Sequence, residues 1–91
     1  MPITVEVPSL LRAELKGARD VAIEATTVRD ALAVLERRYP AMHRGICYET
    51  GEVRPHVGVF VGMDHIRDRD GLDTPLAPGD VITILPAVSG G

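Results

Sequence analysis

The residues with the clearest chemical potential are the last two. The chain ends "VITILPAVSGG", and Gly90 and Gly91 follow a strongly β-forming run with only Ala87, Val88 and Ser89 between. Background glycine usage near 7% makes a chance terminal pair roughly a one-in-200 event, so the pair needs an explanation beyond composition. The plain alternative is a frayed end of small residues. A pair of glycines offers a narrow strand without Cβ atoms that adopts whatever backbone angles a partner's channel imposes. Extended, residues 87–91 would reach roughly 17 Å, enough to enter a partner's active site while the body stays outside. The one reactive group there is the α-carboxylate of Gly91. Its ordinary pKa is about 3.3–3.7, so it is an anion at neutral pH and a poor electrophile. Chemistry at that carbon needs activation by another enzyme, as an acyl-adenylate made from ATP. The pattern points to a carrier that is itself a substrate.

The remaining reactive side chains form no comparable constellation. His43, His56 and His65 stand at no metal-ligand spacing from Cys47 or from each other, so no metal site is expected. Cys47 lacks a helix N-terminus or basic neighbour to activate it and reads as a small buried apolar residue. "RDRD" (Arg67–Asp70) reads as a solvated charged turn. No glycine-rich phosphate loop is present, so no bound cofactor is expected and ATP belongs to the activating partner.

The elements that must present such a tail follow from the pattern. "ITVEVP" (Ile3–Pro8) alternates apolar and polar residues as a half-buried strand, with Ile3, Val5 and Val7 on one face. A turn at Gly17 leads to a second strand over Asp20–Ala25, giving a hairpin. Thr27 and Asp30 form the start of a helix in which Val28, Ala31, Leu32 and Leu35 share a face. Arg37 and Arg38 suit its C-terminal dipole, and Pro40 stops it at Tyr39. Residues 41–56 read as irregular, with a small turn at Gly51. "VGVFVGM" (Val57–Met63) reads as a central strand, followed by a turn at Asp64–His65 and a short edge strand near Ile66–Arg67. A Pro-Gly-Asp turn at Pro78–Asp80 precedes the last strand, "VITILP" (Val81–Pro86). There Ile82 and Ile84 share one face, with Val81, Thr83 and Leu85 on the other.

The order ββαβ(β)β implies an α+β fold in which one main helix covers a mixed sheet of four to five strands. With the first and last strands paired in the centre, this is a β-grasp, the ubiquitin-like arrangement. The expected division is a β-grasp domain over residues 1–86 and a flexible Gly-Gly tail over 87–91. With Ile82 and Ile84 in the core, Leu85 is exposed six residues before the terminus. Phe60 and Ile66 are expected beside it as a docking patch for a protein partner. Asp64, Asp68, Asp70 and Asp73 would steer a basic partner, unless they are simply a solvated turn.

Bulk properties narrow the classes. At 91 residues the chain holds one domain, and with 3% aromatic residues its core must be aliphatic. A formal net charge of −3 argues against nucleic acid as the partner. A single cysteine excludes an internal disulfide and fits a reducing compartment. No signal peptide or membrane-spanning run is evident, so a cytoplasmic location is expected.

The segment "GLDTPLAPGDVITILPAVSGG" resembles the C-terminal signature of the MoaD/ThiS family of ubiquitin-like sulfur carriers, matching it at Gly79, Asp80, Pro86, Val88, Gly90 and Gly91. "VFVGMDHIR" (Val59–Arg67) resembles the family's third strand and turn, with Gly62 where asparagine often stands. "SLLR" (Ser9–Arg12) resembles its first loop. The resemblance implies that an E1-like adenylating enzyme activates Gly91 and that a sulfur source converts it to a thiocarboxylate. A sulfur-accepting synthase would then use it to make a metabolite of the cysteine, molybdopterin, thiamine or thio-sugar type. The chain would be a carrier and co-substrate rather than an enzyme. It is most similar to the longer members, the molybdopterin-synthase small subunit and the cysteine-biosynthesis carrier, with a slight preference for the latter. The small-subunit comparison also allows a tail that completes a larger partner's active site. The alternative is a covalent modifier joined through Gly91 to target lysines. The lone Lys16 disfavours chain-building but not single conjugation.

Overall fold

Alternation along the first strand places Ile3, Val5 and Val7 inward in the computed structural model, which describes residues 2–86. The strands are β1 (Ile3–Glu6), β2 (Asp20–Ile23), β3 (Val57–Val61), β4 (Asp64–His65) and β5 (Val81–Pro86), and the helices are α1 (Val28–Arg38) and α2 (Pro40–Ile46). They form one five-stranded sheet in the order β2-β1-β5-β3-β4. The first and last strands pair in parallel at its centre, Val5 opposite Ile82, while every other pairing is antiparallel. Parallel neighbours need a crossover, and α1 supplies it by packing across one face of the sheet. This is the mixed β-grasp expected from the element order.

Helix α1 begins where its capping residues dictate. Asp30 N–H donates to Thr27 Oγ1 at 3.1 Å, and Thr26 N–H donates to Asp30 Oδ2 at 3.1 Å. The reciprocal contact falls on the residue before the cap rather than on the cap itself. Val28, Ala31, Leu32 and Leu35 all face the sheet and are buried. They meet Ile3, Val5, Ile23, Val59, Ile82 and Ile84 in an aliphatic core that contains no fully buried aromatic ring among the described residues.

Two expectations are corrected. Residues 41–56 are not wholly irregular, because α2 occupies Pro40–Ile46. Pro40 both ends α1 and starts α2, since its fixed φ and missing N–H suit the first position of a helix. Met42 and Ile46, one turn apart, are buried at 2% and 0% exposure, which is what holds so short a helix in place. Its free amide at Met42 donates to Glu14 Oε1 at 2.8 Å, a cap from a residue 28 positions away in sequence. The second correction concerns the hairpin after β3. The chain turns at Gly62–Met63, with Gly62 at φ +61°, so the edge strand is Asp64–His65 and Ile66 already begins a one-turn 3-10 segment, Ile66–Asp68.

Two turns formed as the sequence implies. Gly79 adopts φ +89° behind Pro78, and Asp80 N–H closes the turn on Ala77 O at 3.0 Å. Asp80 Oδ2 accepts from Ala77 N–H at 2.8 Å and locks the entry into β5. Near Gly51, the Tyr48 amide donates to Glu52 O at 2.9 Å, and Cys47 bridges to Val53.

Candidate functional site: the base of the tail and the outer face of the sheet

The tail residues Ala87, Val88, Ser89, Gly90 and Gly91 lie outside the described residues. Their base is Pro86, the last residue of β5, which pairs with Val57. One residue earlier the strand's alternation decides what a partner would meet. Ile82 and Ile84 are each 1% exposed, whereas Leu85 is 46% exposed on the face away from the helices.

Leu85 stands opposite Gly58, and Phe60 stands opposite Thr83 on the same outer face. Phe60 is half-buried. A Cβ built at Gly58 would lie 3.1 Å from Phe60 Cε1, so the glycine gives the ring room to lie across the strand. The alternation puts Leu85 and Phe60 on one surface, and the structure brings them together.

Ile66 does not join them. It is 7% exposed and part of the aliphatic core, because the two-residue turn brings the chain back earlier than the sequence pattern implies. His65 takes the outer position instead, paired with Phe60. The two rings meet edge to face, with centroids 5.0 Å apart and planes at 70°. Together with Gly58, Leu85 and Pro86 they border an open groove of about 280 Å³. A tight Gly62–Met63 turn after an apolar strand is the signal that would have put His65 opposite Phe60.

The "SLLR" segment lies at the same end of the sheet. Ser9–Leu11 forms one 3-10 turn, and Arg12 Nε donates to Val7 O at 2.6 Å. Leu10 is 84% exposed and, with Pro8 and Leu11, flanks Pro86 around a small cleft of about 110 Å³. Nothing in the periodicity singles Leu10 out, because 3-10 turns have no apolar repeat to read. On the other side of Leu85, Arg12, Arg19, Glu6 and Asp20 border a second, more polar groove of about 390 Å³.

The other candidates fall away from this surface. Cys47 is 1% exposed. Burial pushes its thiol up to about 11, the Glu36 carboxylate adding to the effect and Arg54 opposing it. A thiol held protonated is a poor nucleophile. The folded value lies above the ordinary 9.0, so the unfolded chain loses this proton first as pH rises. Cys47 therefore supports the fold fully below pH 9, and that support fades as pH climbs toward 11. Native protein at pH 8 is expected to resist iodoacetamide, while urea-unfolded protein reacts at the rate of a free thiol; equal rates by intact mass would contradict this placement.

His43 is buried at 6% exposure, with Nδ1 4.0 Å from Glu36 Oε2, and His56 is exposed. No group of three or more His, Cys, Asp or Glu among the described residues is placed to hold a metal. Of the four acids considered for steering, Asp73 pairs with Arg29 at 3.1 Å and Asp64 lies 3.9 Å from Arg69. Arg67, Asp68, Arg69 and Asp70 are all exposed, as a solvated turn requires. No helix among the described residues is long and apolar enough to cross a membrane.

Comparison with known proteins agrees with this geometry. The sulfur carrier protein CysO of Mycobacterium tuberculosis is 32% identical over the whole of both chains. Its crystal structure superposes with a TM-score of 0.86, covering 94% of this chain and 99% of that one. CysO in a crystal structure of the Amycolatopsis orientalis BexX/CysO complex is 30% identical, with a TM-score of 0.86 over 98% of this chain and 99% of that one. Small archaeal modifier protein 3 of Haloferax volcanii is 40% identical over 65 residues, 71% of this chain and 70% of its own length. The sequence model of the ThiS family matches residues 9–91, from the first loop through the final glycine. The family model's match from the first loop through residue 91, together with the full-length identity to CysO and the shared β-grasp fold, shows that this chain belongs to the ThiS family.

Proposed function

We propose that this chain is a sulfur carrier whose working group is the carboxylate of Gly91. The observation that carries the reading is the full-length similarity to CysO together with the Gly90–Gly91 ending that follows the central strand. Residues 1–86 act as the recognition body, and residues 87–91 as the tail that enters a partner.

The chemistry balances without a redox step when the sulfur arrives as sulfide. An E1-like enzyme binds ATP, and the Gly91 carboxylate attacks its α-phosphorus to give the acyl-adenylate and pyrophosphate. Sulfide then attacks the acyl carbon, AMP departs, and a thiocarboxylate remains. The thiocarboxylate sulfur attacks an electrophilic carbon on the acceptor held by a synthase, displacing that carbon's leaving group and forming a thioester. Water then cleaves the acyl C–S bond, which leaves the sulfur on the acceptor as a thiol and returns the Gly91 carboxylate. The carrier binds no cofactor of its own. Both partners need a surface to grip, and Leu85 with Phe60 supplies it close to the tail. Dependence on ATP and sulfide places this chemistry in the cytoplasm. The CysO likeness favours a cysteine-type product over the other sulfur-containing metabolites.

The similarity to small archaeal modifier proteins favours one second reading, conjugation of Gly91 to lysines on other proteins. The two readings separate by mass. After incubation with ATP, sulfide and the E1-like enzyme of the same organism, the carrier should gain the mass of one oxygen replaced by sulfur, localised to Gly91. Higher-mass adducts on other proteins in cell extract, without that gain, would favour the modifier.

A further inference from the structure

The groove beside Leu85 carries a polar component beyond its apolar docking patch. Its floor and walls are Gly58, Phe60, Leu85 and Pro86, and the ionisable side chains on its border are His65 and Arg67. Neither Asp64, engaged 3.9 Å from Arg69, nor Asp68 lines it.

His65 is fixed on two sides. Its Nδ1 accepts a hydrogen bond from Arg67 N–H at 3.1 Å, and Phe60 packs edge to face against the ring. A nitrogen that accepts from a backbone amide carries no proton, so in the neutral ring the proton sits on Nε2. Nε2 lies over Gly58, 3.8 Å from where a Cβ would stand. The groove therefore holds an oriented N–H donor at the border of its apolar floor. The Arg67 guanidinium is exposed and, like those of Arg19, Arg37 and Arg44, makes no hydrogen bond or ion pair among the described residues; it is the arginine that borders this groove.

From this juxtaposition we infer that the groove receives a partner-protein segment in which an apolar side chain is followed by a carboxylate. The apolar group lies between Phe60 and Leu85, and the carboxylate accepts from His65 Nε2–H and Arg67. Once a partner covers the groove, a donor left without an acceptor costs more than the pair contributes, so these two donors disfavour a basic segment and fix the register of an acidic one. This rests on the carrier reading, since it specifies what the activating enzyme presents to the outer face.

The test uses the full chain and the E1-like enzyme of the same organism, with sulfide-dependent loading of Gly91 as readout. Arg67→Glu should raise KM about tenfold or more with kcat nearly unchanged, while Arg67→Lys keeps most of the affinity. Wild-type KM should rise steeply with salt, and that of Arg67→Glu should not. At position 65 two amides separate recognition from local structure. His65→Gln places an N–H near Nε2 but loses the acceptor for Arg67 N–H, whereas His65→Asn keeps the acceptor and loses the reach. Recognition demands that Gln rescue and Asn fail; a purely structural histidine demands the reverse. Normal loading of Arg67→Glu, or rescue by Asn and not by Gln, overturns the inference while leaving the carrier intact. If the wild-type chain is loaded by no such enzyme, the carrier reading falls and this inference falls with it.

Discussion

Removing Gly91, or adding one residue after it, is expected to abolish sulfur loading while leaving the melting temperature unchanged. The two halves of this expectation rest on different parts of the molecule. Among the described residues the last element is β5, whose last buried residues are Ile82 and Ile84, and the final partner in its ladder is Pro86. Residue 91 lies five positions beyond Pro86, so a one-residue change there is expected to leave cooperative unfolding untouched. The chemistry is far less tolerant. One residue of extended chain spans about 3.3–3.6 Å. A displacement of about 1 Å between reacting groups can already lower a rate roughly 100-fold. A carboxylate moved by a full residue relative to a body docked through Leu85 should therefore not reach the partner's ATP. The check is the initial rate of thiocarboxylate formation at matched concentrations, beside a thermal melt. A truncated chain that loads within about tenfold of wild type would show that the carboxylate is not positioned by its distance from the body.

How much of this is legible in the sequence differs by element, and the differences have physical causes. Strand β1, helix α1 and strand β5 are readable because each buries one face, and a buried face imposes a period of 2 or 3.6 on the residue types, although β1 ends at Glu6 rather than at Pro8. The same logic puts Leu85 outside and Ile84 inside from the alternation of β5. Helix α2 escapes such a reading because Pro40 serves equally as a stop and as a start. The cap that distinguishes the two comes from Glu14, 28 residues away, and no local pattern contains it. The edge hairpin is misplaced by the pattern because β4 is two residues long, too short to show alternation. That slip carries Ile66 to the surface and hides His65. A strand's faces exchange with every one-residue shift, so a small error in the turn is enough to exchange a core residue for one on the outer face. The tail is the reverse case. The chemistry proposed for it rests on residue type, two glycines a few positions beyond a β-strand, and needs no fold to define it.

The second large effect expected is a contrast between neighbours in β5. Ile84→Ala should unfold the protein at much lower temperature yet leave docking intact when folded, whereas Leu85→Glu should do the opposite. Ile84 is 1% exposed in the central strand, between the parallel partner β1 and the antiparallel partner β3. Truncating a fully buried isoleucine to alanine costs about 2–5 kcal/mol, through lost transfer free energy and the cavity left behind. A domain of this size has roughly 5–15 kcal/mol in total. With about 4–8 °C lost per kcal/mol in so short a chain, the melting temperature should fall by roughly 8–40 °C. Leu85 is 46% exposed and faces solvent, so a glutamate there meets water on one side and costs about 1 kcal/mol or less in strand preference. Against a partner the effect reverses. Glutamate would set a carboxylate in the middle of the apolar patch with Phe60, where loss of an anchoring side chain typically costs about 2 kcal/mol or more, roughly thirtyfold in Kd. Melts and binding to the activating enzyme, measured on both variants well below the lower melting temperature, decide the matter. If Leu85→Glu binds as wild type, the outer face is not the docking surface. If Ile84→Ala loses binding as fully as Leu85→Glu while still folded, then the partner reads the shape of the whole strand rather than its outward side chains.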